Sequence, residues 1–342
     1  MGRIGVGIIG NGMATRVFHA PYIQACGDLE LGAIVDRKAG AVSPVEGVRI
    51  VPDVDALLAD PAIGLVVVAT PSSTHAALAR QVLEAGRHVV VEKPFTVALS
   101  EARDLAALAQ ERGLTLSVFH NRRWDTDFLA VRSAIDAGLI GRVVHFESHF
   151  DRFRPHVRER WREDGSAGSG IWYDLGPHLI DQALVLFGRP DAVSADVAAL
   201  REGSASPDFA HVVLRYPGKR VILHAGMCVA GGEPRFRVHG TDGSLIKQHL
   251  DPQEAQSVAG LRPGDAEWGV DNDPLVHHDG EGGMHSIPAP RGSQERFYAM
   301  MAQACLGSGP APAGLDEIVA VQEVLEAALV SAAEGRVVSL LP

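Results

Sequence analysis

The chain has 342 residues, 31 Lys and Arg against 42 Asp and Glu, a formal net charge of −11 and 46% hydrophobic residues. At roughly 100–200 residues per domain this length predicts two domains, the composition argues against disorder, and the acidic balance argues against a nucleic-acid or anionic-membrane partner. Three widely spaced cysteines (Cys26, Cys228, Cys305), read most simply as buried small residues, exclude a disulfide framework; with no secretory leader and no apolar run of ~20 residues, a cytoplasmic location is expected.

The first 120 residues alternate strand and helix signals. Strands are predicted at 3–9, 29–35, 65–69, 88–91 and 114–119. The run 65–69 (LVVVA) is purely aliphatic, as in a strand covered on both faces. Ser72 or Ser73 offers a helix cap, Gly86 ends that helix, and a second spans about 100–112 before Gly113. This alternation predicts an α/β fold with a parallel, doubly wound Rossmann-type sheet over 1–121.

Beyond Asn121 the pattern changes. A helix at 126–137 leads to an alternating strand at 143–150, an Arg- and Gly-rich loop, and a helix at 177–187. Strand signals then succeed one another at 192–200, 208–216, 220–227 and 235–239, with Gly218 and Thr241-Asp242-Gly243 as turns. An α+β domain on a largely antiparallel sheet is predicted over 122–342. Residues 251–293 read as a long irregular surface segment with His277 and His278 exposed, before helices at 294–305 and 316–333.

Three groups of residues can carry chemistry. Gly10-Asn11-Gly12-Met13-Ala14-Thr15 joins the first strand to the first helix. One glycine suits the tight turn, and a second lets a pyrophosphate approach the backbone at the positive helix end. Thr15 stands where the full fingerprint has a third glycine. Asp36 ends the second strand, placed to accept from adenosine ribose hydroxyls. It favours NAD by repelling a 2′-phosphate, whereas Arg37 and Lys38 offer that phosphate a partner, leaving NADP open. Glu92-Lys93-Pro94 ends the strand at 88–91, at the ligand-binding end of such a sheet. Lys93 is either a stabiliser of charge on a substrate oxygen or half of a surface pair with Glu92.

In the third group Asp174, His178 and Asp181 are spaced four and three apart, so one helix face holds them all. A carboxylate beside an imidazole suits a general base; the alternative is Asp174 as a helix cap and His178 as a satisfied buried histidine. No third soft ligand or HExxH pattern accompanies them, so no metal is predicted.

Together GIIGNGMATRVFHAP (7–21), TPSSTH (70–75), VVVEKPF (89–95), WREDGSAGSGIWYDLGPH (161–178) and GTDGSL (240–245) closely resemble the Gfo/Idh/MocA oxidoreductases, over nearly the whole chain. SVFHNRRWDTDF (117–128) and HFESHFDRFRP (145–155) are similar to a subgroup of bacterial scyllo-inositol dehydrogenases. The resemblance implies Lys93 as the catalytic lysine, His178 as general acid/base and Asp174 as the acid orienting substrate and histidine. It implies cofactor contacts from Gly10, Gly12, Met13, Ala14, Asp36, Arg37, Thr70, Pro71, His75, Glu92 and Lys93. Asn121 at the domain junction and the Trp161-Arg162 pair complete that set. Arg122, Arg123, Arg152, Arg154 and Tyr173 lie beside these motifs, either lining a sugar pocket or, for the arginines, solvated or ion-paired.

The activity implied is hydride transfer between a secondary alcohol of a sugar or inositol-like polyol and NAD or NADP, NAD slightly favoured, in a homodimer or homotetramer. The alternatives are a non-catalytic dinucleotide-sensing regulator and an imine or bilin-type reductase on the same fold.

Overall fold

The computed structural model describes residues 2–341. Its first sheet follows from the aliphatic runs: β1 (Ile4–Ile9), β2 (Leu29–Val35), β3 (Arg49–Val51), β4 (Ile63–Val68), β5 (His88–Val91) and β6 (Leu116–Val118). All neighbours pair in parallel, in the order β3-β2-β1-β4-β5-β6. Leu65 through Val68 are wholly buried, as a strand covered on both faces requires. The order reverses between β1 and β4, the point where open α/β sheets bind ligands.

The crossovers carry α1 (Ala20–Ala25), α2 (Val54–Leu58), α3 (His75–Glu84) and α4 (Leu99–Arg112). One cap differs from expectation. A short 3-10 turn, Ser72–Thr74, precedes α3, so neither serine caps it. At α4 the Glu101 carboxylate accepts from the Ala98 backbone N–H, and Gly113 closes the helix in the left-handed conformation at φ 62°.

By contacts the chain forms two compact units, the first comprising the residues through Asn121 with Gln253–Trp268 and Ser293–Val319. The predicted division at 121 therefore assigns these two later segments to the other unit. Their apolar faces explain the difference: Phe297, Tyr298 and Met301 are fully buried, Phe297 meets Phe119 at 4.9 Å between ring centroids, and Ala313 and Ile318 join the first core. An amphipathic helix records that it has a partner, not which sheet the partner is.

The second unit holds Arg122–Pro252, Gly269–Gly292 and the residues from Ala320 on. Here α5 (Thr126–Asp136) precedes β7 (Val143–His149), and α6 (Ile171–Phe187) precedes β8 (Ala192–Ala198), β9 (Phe209–Tyr216), β10 (Lys219–Gly226), β11 (Phe236–Gly240), β12 (Ser244–Lys247), β13 (Leu275–His278), β14 (Met284–Ile287) and β15 (Val338–Ser339). The sheet order is β14-β13-β12-β11-β7-β10-β9-β8-β15, antiparallel except for the β7–β10 pair. Alternate residues of β9 and β10 (Val212, Leu214, Val221, Leu223) enter the core with Leu179, Ile180 and Leu325, and the intervening ones face outward.

Helix α6 begins at Ile171, six residues before the predicted start, and Pro177 lies inside it. Residues 251–293 are more ordered than predicted, with a helix at Gln253–Val258 and strands β13 and β14. At the sheet edge β14 is mostly exposed, so backbone pairing forms it without an apolar alternation to betray it. His277 is buried rather than exposed, and of the cysteines only Cys26 is buried; Cys228 is exposed and Cys305 intermediate. Among the described residues no helix is long and apolar enough to cross a membrane.

Candidate active site

The two glycines of the first turn answer to different demands. Gly10 has φ 110°, and a Cβ there would lie 2.4 Å from the Ala69 carbonyl oxygen, so the fold itself excludes a side chain. A Cβ on Gly12 would meet nothing within 4 Å. No protein neighbour requires glycine at 12, and the open space would admit a phosphate beside the helical turn that starts at Met13 and runs through the π-helical Thr15–His19 into α1. Thr15 is buried and its Oγ1 donates to the Gly10 carbonyl at 2.7 Å, which fits threonine into the third fingerprint position. Met13 is 62% exposed on this turn, with Ala14 half-buried beside it. Gly12→Ala should therefore leave the thermal midpoint within a few degrees while weakening dinucleotide binding by roughly tenfold or more. Fluorescence titration against a melting curve checks both; unchanged affinity would remove the glycine's ligand role.

At the end of β2, Asp36 accepts from the Lys38 backbone N–H and from Asn11 Nδ2, both at 3.0 Å. These bonds hold its carboxyl below the usual range, so the group stays anionic and fixed; Arg37 and Lys38 are exposed.

Glu92 and Lys93 follow β5. The Glu92 carboxylate is not half of an isolated surface pair: His19 Nε2 lies 3.0 Å from its Oε1, and the Lys93 backbone N–H donates to Oε2 at 3.0 Å. Burial would raise this carboxyl's pKa, but His19, with Lys93 and His75, outweighs it and pulls the value down to about 2. His19 Nδ1 in turn meets the Tyr298 hydroxyl at 2.7 Å. Lys93 thus leaves the sheet on a backbone anchored through a Glu92–His19–Tyr298 chain, its side chain half-buried. His19 and Tyr298 escaped the sequence reading, because 279 residues separate them and only folding joins them.

The other predicted cofactor residues of this unit are held from within. His75 is buried, Nδ1 2.8 Å from the Pro94 carbonyl and Nε2 2.9 Å from that of Thr70, so it braces two turns at the sheet's ligand-binding end. Burial lowers its pKa, keeping the ring neutral and able to donate to one carbonyl at a time. Thr70 Oγ1 meets Thr74 Oγ1 at 2.7 Å, and Pro71 is exposed. Asn121 Nδ2 donates to Gln294 Oε1 at 2.9 Å, which also accepts from the Tyr22 hydroxyl at 2.8 Å.

In the second unit, the early start of α6 places Asp174, His178 and Asp181 on consecutive turns of one helix, so Asp174 is not its cap. Arg162 Nε donates to Asp174 Oδ1 at 3.1 Å, and the guanidinium lies 4.4 Å from the Trp161 ring centroid. Arg162 thereby ties the 150–170 loop to the helix that carries His178. The His178 side chain is buried, its ring roughly parallel to that of Phe150 with centroids 6.4 Å apart. Asp181 receives Arg123 in a bidentate pair at 2.7 and 3.0 Å, and Arg122 donates to Asp125 at 3.1 Å. Both arginines are ion-paired. Arg152 and Arg122 each lie 4.8 Å from the Phe150 centroid. Arg154 is half-buried, its pKa lowered by burial and then by Arg158 and Arg160, and Tyr173 packs against the core.

Residues 4–120 match the oxidoreductase-family NAD-binding Rossmann fold, and residues 132–340 the family's C-terminal alpha/beta domain. The chain belongs to the Gfo/Idh/MocA oxidoreductase family. Among relatives, the Escherichia coli protein named "Uncharacterized oxidoreductase YdgJ" is 46% identical over 336 residues, 96% of each chain. The Bacillus subtilis protein named "scyllo-inositol 2-dehydrogenase (NADP(+)) IolW" is 36% identical over 98% of this chain and 96% of its own. A solved structure from Klebsiella pneumoniae superposes with a TM-score of 0.93 at 47% identity, covering 99% of this chain and 96% of that one. For a Gfo/Idh/MocA oxidoreductase, the first sheet is thus an NAD(P)-binding Rossmann domain, and the open space at Gly12 fits the pyrophosphate such a domain holds.

Proposed function

We propose that this oxidoreductase transfers a hydride between a secondary alcohol of a sugar or inositol-like polyol and a nicotinamide dinucleotide. The observation that carries this reading is the placement of Asp174 and His178 one turn apart on α6, with Asp174 held by Arg162, in a chain whose Lys93 is anchored at the ligand-binding end of the Rossmann sheet. When bound, the nicotinamide supplies the hydride acceptor or donor. His178 takes the proton of the substrate hydroxyl, Asp174 favours the charged imidazole that results, and the Lys93 ammonium stabilises the developing alkoxide. Gly10, Gly12, Met13 and Ala14 receive the phosphates. Association into a homodimer or homotetramer belongs to the same proposal.

The fixed Asp36 carboxylate supports NAD, whose ribose hydroxyls it can accept from, over NADP, whose 2′-phosphate it repels. The name of the Bacillus relative supports NADP, with Arg37 and Lys38 as phosphate partners. Incubating the protein with NAD+ or NADP+ and a panel of inositols, aldoses and imines tests substrate class and cofactor together. Reduced nicotinamide should appear with an inositol or sugar, faster with NAD+. Asp36→Ser should shift the NAD/NADP ratio of kcat/KM toward NADP by roughly tenfold. Dinucleotide binding without turnover on any substrate would favour the sensor reading instead.

A further inference from the structure

The outward face of the second sheet holds a cluster that hydride transfer does not use. Parallel pairing sets His224 of β10 against His149 of β7, and the β9–β10 register sets His211 beside His224. Asp151, two residues beyond His149, points the same way by strand alternation. Its backbone is pinned on either side: the Phe150 N–H donates to the His224 carbonyl at 2.9 Å and the Arg152 N–H to the Gly226 carbonyl at 2.8 Å.

The contacts within this cluster are too long for hydrogen bonds. Asp151 Oδ2 lies 3.6 Å from His149 Nδ1, and Oδ1 lies 3.6 Å from His224 Nε2. Both Asp151 oxygens and His149 Nδ1 are buried without a hydrogen-bond partner among the described residues, and the side chains of Asp151 and His149 are only 5% and 10% exposed. Such groups are normally satisfied. One donor atom from each of His149, Asp151 and His224 lies within 4.8 Å of the others. Donors about 2.0–2.2 Å from one tetrahedral ion stand about 3.3–3.6 Å apart; the two carboxylate–imidazole contacts, one through each Asp151 oxygen, have that spacing at 3.6 Å.

The surroundings fit the same ion. His149 Nε2 donates to Glu147 Oε2 at 3.1 Å, leaving Nδ1 as the electron-pair donor. His224 Nδ1 faces His211 Nδ1 at 3.3 Å, leaving Nε2 for the cluster. Each imidazole is thus oriented through its second nitrogen, as metal-binding histidines are. A Cβ on Gly226 would lie 3.4 Å from His224 Nε2 and 3.5 Å from Asp151 Oδ1, so glycine keeps the space beside the donors open.

We propose that His149, Asp151 and His224 form a divalent metal site of the zinc class, with a fourth position open to water. Two imidazoles and one carboxylate suit zinc and its first-row neighbours. The ion neutralises Asp151, fills the gap between the donors and fastens the start of the 150–170 loop to β10. The site is independent of the dehydrogenase reading.

The test uses tag-free, full-length protein stripped with a chelator, titrated calorimetrically with Zn2+ and followed in visible absorption with Co2+. One saturable equivalent is expected, with the bands of low-coordinate Co2+. His224→Asn and Asp151→Asn should each weaken Zn2+ binding roughly 100-fold or more, and Glu147→Gln, one shell out, ~10–100-fold. His285→Ala, outside the cluster, should change nothing. The wild-type titration needs no variant to fold: absence of a saturable site overturns the proposal and leaves a protonated His149 paired with its carboxylates. Binding unchanged in folded Asp151→Asn or His224→Asn protein overturns it as well.

Discussion

Lys93→Met and His178→Asn should each reduce kcat by orders of magnitude, ~10²–10³ for the lysine and ~10²–10⁴ for the histidine. Dinucleotide affinity should stay within about threefold, because the turn at Gly12 and the Asp36 carboxylate remain in place. Steady-state rates on the substrate that the panel identifies, set beside a fluorescence titration of the dinucleotide, give both numbers. The two losses should combine less than additively if the residues serve one transition state. Near-full activity in Lys93→Met would end the mechanism; a matched loss of dinucleotide binding would make Lys93 a binding residue only.

A supporting role is also testable here. Glu92 is ionised and held by His19, so its electrostatic contribution is full above the ordinary carboxylate pKa and fades as pH falls toward about 2. Across the neutral range in which kcat is measured, the Glu92 carboxylate stays ionised and does not itself contribute a pH effect.

How much of this was legible in sequence depends on the distance over which each signal acts. The bounds of β2 and β5 coincide with the predicted strands because aliphatic runs between glycine-marked turns are local signals. Asp174, His178 and Asp181 were readable as one face because helical periodicity is local too. Pro177 misled on where that helix starts. Gly170, at φ 94°, turns the chain, and the Ile171 N–H donates to the Pro207 carbonyl at 2.7 Å, so the helix nucleates ahead of the proline. What escaped was long-range: Tyr298 on His19, Arg162 on Asp174, and the row His149, His224, His211, which exists only through strand register. No spacing rule joins residues 149, 151 and 224, whereas the 174/178/181 triplet, which a spacing rule does flag, contains ion-paired carboxylates.

The largest effect on stability is expected at Arg235, whose side chain is 1% exposed. Its Nε donates to Asp127 Oδ2 at 3.1 Å, its Nη2 to Gln182 Oε1 at 2.6 Å and its Nη1 to the His149 carbonyl at 3.2 Å and to Ser148. The guanidinium also stacks 4.1 Å from the Phe236 centroid. Gln182 lies one turn beyond His178 on α6, and its Nε2 donates to the Arg122 carbonyl at 2.9 Å. The network therefore ties the helix bearing the proposed base to β7 and α5. Arg235→Met preserves much of the volume and removes every donor, leaving the Asp127 carboxylate buried without its cation. A loss of about 3–5 kcal/mol is expected, read as a lower urea midpoint at unchanged slope. Asp127→Leu combined with Arg235→Met should recover part of that loss, because the penalty lies chiefly in the orphaned charge rather than in the absent pair. If the double variant were destabilised by the full sum of the single ones, the geometry of the arginine fork, not its charge, would be what the core requires.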